Sequence, residues 1–349
     1  MTSQSKRLGV TKTSLPPCCL RIHPIDTSLI ILGTYQLDKP TGKRTGSIDL
    51  YRFDQDGLNL TLIKSIATES AVLDIKISPF DPSLLVSAHS TGNIQLWTVD
   101  HVSPDITLVE NRHIFDSEIL ITSIFFNPQE KNKVVTTLTS GELALIDLND
   151  FSHEVFDTVH DLECWTAGFG ELGQLSNVVF TGGDDAKLIA HDLRMKNSIW
   201  STSYKHHDAG VVSILSPNKN WNNSNSNHLW TGSYDDNLRI LDLRVMDKVN
   251  PQLIPGFIPK VLEQKNLGGG VWRLIPSPIE NDNRVMSCCM YDGARIIDQV
   301  DQLFQVSRYF KKDHESMCYG GDWSQDGKYI ATCSFYDNVV QIWSPNDVE

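Results

Sequence analysis

Apolar and polar residues alternate with a period of two along most of this chain, in short runs broken by clusters of Gly, Asp, Asn and Ser. Such alternation puts successive side chains on opposite faces of an extended strand, and predicts short antiparallel strands joined by tight turns. The runs that end each cycle are alike: IDLYR, IQLWT, LALID, LIAHD, LRILD, ARIID and VQIWS. Equivalent positions in them (Tyr51, Trp97, Ile146, His191, Leu241, Ile297 and Trp343) recur 45 to 56 residues apart. The turns ahead of most of them repeat too, as HSTGN, LTSGE, GGDDA, SYDDN, MYDGA and FYDNV. Gly, Asp and Asn there supply the positive φ that a tight hairpin needs.

Four strands per unit of about 45 residues, repeated seven times, resembles the WD-repeat β-propeller. The expectation is an all-β, seven-bladed domain over 1–349, with blades near 16–66, 70–111, 120–157, 164–202, 207–257, 268–309 and 314–343. The last unit fits the repeat best, with His314, Trp323-Ser-Gln-Asp-Gly, the run ending at Asp337, and Trp343 at the expected offsets. Only six residues follow Trp343, too few for a fourth strand. A strand at 8–13 is expected to pair there, closing the ring and removing its last free edge. The Asn- and Ser-rich segment 218–227 reads as a solvated loop, and 245–266, with three prolines, as the longest connection between blades.

Charge and composition narrow the chemistry. There are 43 Asp plus Glu against 30 Lys plus Arg, a net charge of −13. A net-acidic surface repels phosphate backbones, which argues against nucleic acid as a partner and suits a cationic ligand or a basic protein face. No apolar run approaches the ~20 residues of a membrane helix, and the first ten residues hold no signal-peptide core, so a cytoplasmic protein without membrane insertion is expected, as a monomer. The seven cysteines are odd in number and lack C-x-x-C spacing, against both a disulfide framework and a zinc knuckle. No H-E-x-x-H, Walker loop or G-x-S-x-G elbow occurs, and neither metal nor other cofactor is expected. Gly168-Phe-Gly170-Glu-Leu-Gly173 matches a dinucleotide pattern but precedes a strand-like run, and reads as turn chemistry.

His160, His207 and His314 stand just before first strands, and Asp184, Asp235 and Asp337 stand in the hairpin turns of the same blades. In WD repeats such a His commonly bonds a turn Asp and a hydroxyl, and His314 with Asp337, Ser334 and Trp343 fits that arrangement. His207, whose blade has Leu241 in place of the Trp, is the candidate general base. Inner-strand aromatics form a second group, Trp272, Tyr319 and Trp323, with glycines 268–270 and 320–321 beside them to let ligand or backbone approach. Arg273 and Asp322 are charged residues in innermost strands, where they must pair or line the channel. Of the adjacent pairs Cys18/Cys19 and Cys288/Cys289, one member each is expected to be buried and inert.

An ordered set of strings is similar to the diphthine methyl ester hydrolase family: LPPCCLR, ILGTYQLD with RTGSIDLY, TGGDDAKL with HDLR, HDAGVVSI, TGSYDDNLRILDLR, GGVWRL, HESMCYGGDWS and ATCSFYDNVVQIW. The resemblance covers nearly the whole chain. It implies a carboxylic ester hydrolase that demethylates diphthine methyl ester on elongation factor 2, a modified histidine bearing a trimethylammonium group, in diphthamide synthesis. A quaternary ammonium favours aromatic faces and carboxylates, which Trp272, Tyr319, Tyr234, Asp235 and Asp322 can supply. Ester hydrolysis needs an activated nucleophile and oxyanion donors. The expected roles are water attack with His207 as base, Arg273 or backbone N–H groups polarising the carbonyl, and His314 or Glu315 assisting. A covalent intermediate on Cys19 or Ser316 is the rival mechanism.

The alternative is a non-enzymatic scaffold. Asp192-Leu-Arg194 and Asp242-Leu-Arg244 end consecutive blades and are similar to the W-D-x-R element by which substrate receptors meet a cullin-type ubiquitin-ligase adaptor, with His191 and Leu241 in place of the Trp. The plainer role for each Arg is to cap its strand through a neighbouring carboxylate.

Overall fold

The computed structural model describes every residue except Met1, Thr2, Tyr204, Lys248, Asn250 and Asp301. The strands form seven antiparallel blades of four strands, two of them joined in one eight-stranded sheet. Their inner strands are Pro17–Ile22, Val72–Ile77, Ile121–Phe126, Cys164–Phe169, Val211–Leu215, Val271–Pro276 and Cys318–Trp323. Each inner strand leads outward through the rest of its blade, and the two-residue strand Gln36–Leu37 adds to blade one.

Second strands such as Leu29–Thr34, Val178–Gly183 and His228–Ser233 are buried along their whole length. That is the signature of a strand covered on both faces. The cover comes from neighbouring blades. Seven apolar clusters lie between successive sheets, one per junction; in blade order from one to seven they centre on Ile75, Ile94, Val135, Leu229, Val271 and Cys288. The seventh joins Leu20, Ile30 and Tyr51 of blade one to Ala331, Val340 and Ile342 of blade seven, which closes the ring.

Ring closure also uses the N-terminus. Ser3–Lys12 pairs antiparallel with Val339–Val348, from Lys12↔Val339 to Ser5↔Val348. Its first residues also pair in parallel with blade six, Ser3↔Arg308 and Gln4↔Tyr309, stitching two blades into one eight-stranded sheet. The closing strand therefore starts earlier than the expected 8–13. The outer strand of blade five, Lys260–Asn266, lies in the segment read as a connection. Three prolines just before it mask its alternation; a proline cannot donate to a ladder, so the strand begins only after Pro259. Lys248 and Asn250 of that segment lie outside the described residues.

Candidate functional site: the aromatic mouth of the channel

Each inner strand carries the same irregularity. Pairing with the second strand slips between its first and third residues, leaving Cys18, Leu73, Thr122, Trp165, Val212, Trp272 and Tyr319 outside the ladder. A bulge re-aims the extra side chain, and here it does so seven times around one mouth of the channel. Trp165 and Trp272 come from blades four and six, yet their rings lie 6.1 Å apart, so they meet over the opening. Tyr319 of blade seven lies 4.9 Å from Trp272. Tyr234, at the second-strand end of blade five, lies 5.8 Å from Trp272 and 6.5 Å from Trp165. Phe335 continues the cluster from Tyr319 to Tyr336 and Tyr35.

Two polar features face this wall of rings. Asp184 Oδ1 accepts the Trp165 indole N–H at 3.0 Å. The indole N–H of Trp272 is buried with no partner among the described residues. A buried donor left empty costs free energy. Burial, with the charge of Asp184 next, raises the Tyr234 hydroxyl well above its ordinary pKa, so it stays neutral. Burial does the same to Tyr319.

One residue further along the inner strand, the Arg273 guanidinium lies 6.0 Å from the Trp272 ring centroid. It reaches across the channel to blade two, with Nη2 3.3 Å from Asp74 Oδ1. Asp74 also accepts Lys76 Nζ at 2.5 Å and the Ile124 N–H at 3.2 Å. Burial opposes its charge, but Lys76 and Arg273 outweigh that and hold its pKa down at about 2. This ionic strut is the floor of the aromatic cup.

The remaining expected site residues sit elsewhere. His207 is 1% exposed, with Nε2 2.9 Å from Thr231 Oγ1. Burial pulls its pKa to about 3, so the structure gives it a blade-fixing place and not access to the channel. Asp235 accepts Arg239 and the Asp208 N–H inside blade five, in a buried ion pair rather than at the mouth. His314 is fully buried against Thr332 Oγ1 at 2.7 Å, and Trp343 Nε1 donates to that same hydroxyl at 3.1 Å. The bridging hydroxyl is thus Thr332 and not Ser334; Asp337 instead takes Ser334 and the N–H groups of Glu315 and Ser316. In blade four the full arrangement forms through Asp185, not Asp184: His160 bonds Asp185 at 2.8 Å and Thr181 at 2.9 Å. Glu315 is exposed on the rim.

Asp322 lies three residues further along its strand than Tyr319, about 10 Å at the rise of a β-strand, and lines the opposite mouth. The glycines beside the aromatics serve blade contact: a Cβ on Gly320 would meet Leu20 N at 3.0 Å and Cys333 Sγ at 2.6 Å. Cys19 is buried with its pKa raised well above the ordinary thiol value by burial, which disfavours the thiolate. Cys18 faces the mouth, and burial pushes it to about 12. Arg194 and Arg244 each fold back on the Asp of their own motif, at 2.6 and 2.7 Å. No group of three or more His, Cys, Asp or Glu among the described residues could hold a metal ion. No helix among them is long and apolar enough to cross a membrane.

Trp165 and Asp184 are the mouth residues the sequence analysis did not assign. Their signal was present: Cys-Trp-Thr, Val-Trp-Arg and Cys-Tyr-Gly occupy the same three positions of inner strands four, six and seven. Reading it required knowing that the second position is bulged.

A ring of four-stranded sheets around such a channel defines a WD-repeat β-propeller, and the family model for the WD domain, G-beta repeat, matches residues 306–344. The fold is shared with a chain of the solved crystal structure of the mitotic checkpoint complex, at TM-score 0.71 and 14% identity, covering 99% of this chain and 93% of that one. Sequence is more specific. The chain is 43% identical to the diphthine methyltransferase of Saccharomyces cerevisiae over 97% of its length and 98% of that protein's. It is 33% identical to that of Schizosaccharomyces pombe, over 95% of each, and 26% identical to that of Homo sapiens, over 85% of this chain and 69% of the human one. The chain belongs to the diphthine methyltransferase family.

Proposed function

We propose that this protein acts in diphthamide biosynthesis as a carboxylic ester hydrolase, removing the methyl group of diphthine methyl ester on elongation factor 2. The observation that carries the reading is the cup formed by Trp165, Tyr234, Trp272 and Tyr319 with Asp184 at its edge and Arg273 at its floor. Aromatic faces and a carboxylate suit a trimethylammonium group, each cation–π contact contributing about 0.5–2 kcal/mol. Asp184 is the counter-charge. The ester carbonyl of the same side chain then lies toward the empty Trp272 N–H and the Arg273 guanidinium, which stabilise the oxyanion. Water adds to the carbonyl carbon, the bond to the methoxy oxygen breaks, methanol leaves and a carboxylate remains; the released proton passes to solvent. The relatives' family name supports the substrate, and the cup supports recognition of its cation. Purified protein incubated with methyl-ester-bearing elongation factor 2, without any methyl donor, should release methanol and lighten the factor by the mass of one CH₂. An unchanged ester under those conditions removes the hydrolase reading.

A further inference from the structure

The Arg273–Asp74 strut divides the channel, and the far side of it is a second compartment. Fifth residues of the inner strands surround that opposite mouth: Asp322, Arg21 and Lys76 come from consecutive blades seven, one and two. A cavity of about 230 Å³ opens between Arg21 and Asp322, walled by Pro24, Pro79, Pro276 and Trp323. Beside it, sharing Ile77 and Pro79, lies a cavity of about 350 Å³ with mainly apolar walls, Phe125, Phe169 and Leu274 among them, which Lys76 and Glu171 also line.

Lys76 is paired with Asp74, whereas Arg21 and Asp322 are held in place without an ion pair. Arg21 donates Nη1 to the Leu20 and Gly321 carbonyls, at 3.0 and 3.4 Å, and meets no carboxylate within ion-pair reach among the described residues. Asp322 accepts only backbone N–H groups there, from Ile22 and Trp323, each at 3.0 Å. Burial raises its pKa against the pull of Arg21 and, more weakly, of Lys76. Unpaired charges in a partly dry cavity are costly. The proline walls have no N–H to donate to the Asp322 carboxylate. Each charge is fixed in direction by backbone bonds, so the pocket is organised before any guest arrives.

We propose that this opposite mouth is a binding site for a small α-amino-acid zwitterion with an apolar side chain: carboxylate on Arg21, ammonium on Asp322, and side chain in the Phe125–Leu274 cavity. The site is separate from the aromatic cup and does not rest on the hydrolase reading.

L-leucine titrated into the whole protein, followed by saturation-transfer NMR and by thermal melting, is the test. Saturable binding is expected, with N-acetyl-leucine and leucinamide each weaker by about tenfold or more, because each lacks one of the two charges. Arg21→Gln and Asp322→Asn should weaken leucine by a similar factor while leaving the circular-dichroism spectrum unchanged. Absence of saturable leucine binding overturns the proposal. Equal binding of the blocked forms overturns it as well, since the pocket would then recognise apolar surface alone; this arm uses the unaltered protein and is independent of how the variants fold.

Discussion

Trp165 and Trp272 belong to blades separated by a whole sheet, and their rings nonetheless lie 6.1 Å apart over the channel. That contact exists because both residues are bulged out of their ladders at the same inner-strand position. The channel is therefore narrowed by rings at one end, and Trp272, which also touches Tyr234 and Tyr319, is the hub. Trp272→Ala should raise KM for the methyl-ester substrate about tenfold, the loss of one good cation–π face. Tetramethylammonium should compete with substrate in the unaltered protein, whereas neutral tert-butanol should not. Equal competition by both would mean that the cup selects shape and not charge.

Asp184 lies beside those rings, with one carboxylate oxygen occupied by the Trp165 N–H. Asp184→Asn keeps an acceptor for that bond and removes the negative charge. Binding of the quaternary ammonium should weaken by about 1 kcal/mol, the scale of a single charge partner in a half-exposed site. The loss should shrink as salt is raised, because screening already weakens the native attraction. A variant whose KM and salt dependence match the parent protein would remove Asp184 from recognition.

Arg273 has two duties that one substitution separates. It bridges the channel to Asp74, and it lies beside Trp272. Arg273→Gln leaves Asp74 buried with Lys76 and the Ile124 N–H as its remaining partners. Leaving a buried charge uncompensated costs about 3–5 kcal/mol; Asp74 keeps Lys76, so the loss should be smaller than that, and the melting temperature should still fall. If Arg273 also stabilises the oxyanion, kcat should fall about 100-fold at a temperature where the variant is fully folded. Asp74→Asn breaks the same strut and spares the guanidinium, so it should reproduce the stability loss with a smaller effect on kcat. Matching kcat losses in the two variants would reduce Arg273 to a structural strut.

How much of this was legible in the sequence follows from what repeats. Seven blades were readable because hydrophobic alternation and turn chemistry recur at nearly constant spacing, and the IDLYR-type strands mark each cycle. Trp272, Tyr319 and Tyr234 stand out in the sequence as aromatics in inner strands or hairpin ends, and the structure brings those three together. Asp235 and Asp322 were not separable from them by sequence. One residue of register moves Asp235 from the mouth to the Arg239 pair, and three residues of rise carry Asp322 to the other end of the channel. The histidines misled for a related reason: an imidazole near an acid in sequence looks the same whether it is solvated or sealed, and only packing seals His207 and His314.

The N-terminal strand makes its own prediction. Residues Ser5 to Lys12 cover the edge of Val339–Val348, and Leu8 packs against the cluster that joins blades seven and one. Removing residues 1–12 should expose that edge and part of that cluster at once. The melting temperature should drop by several degrees, and the shortened protein should self-associate through the bare edge. Adding a synthetic peptide of residues 1–13 should restore both properties. A truncated protein that melts with its parent and stays monomeric would show that closure rests on the interblade clusters alone.

Acid should unfold this protein earlier than its carboxylates require, because of its sealed histidines. Burial lowers His89 and His314 to about 4 and His191 and His207 to about 3. In the unfolded chain each titrates near its ordinary value of about 6.5. Between those values the unfolded state binds protons that the native state refuses, so stability is full above about pH 6.5 and is lost progressively as pH falls toward the folded values. Each histidine contributes on the order of 1–2 kcal/mol of that loss at about pH 5. The geometry gives the same answer: Nδ1 of His191, His207 and His314 is buried without a partner among the described residues, so a second ring proton would have no acceptor. The paired carboxylates Asp74, Asp185 and Asp235, held at about 2, add their own loss only below about pH 4. Calorimetric melting from neutral pH to about pH 4.5 should therefore show a falling melting temperature well above the carboxylate range. His314→Gln, which cannot take up the proton, should be less stable than the parent at neutral pH and lose less on acidification. A parent protein with a flat melting temperature across that interval would mean that these histidines are not sealed in solution.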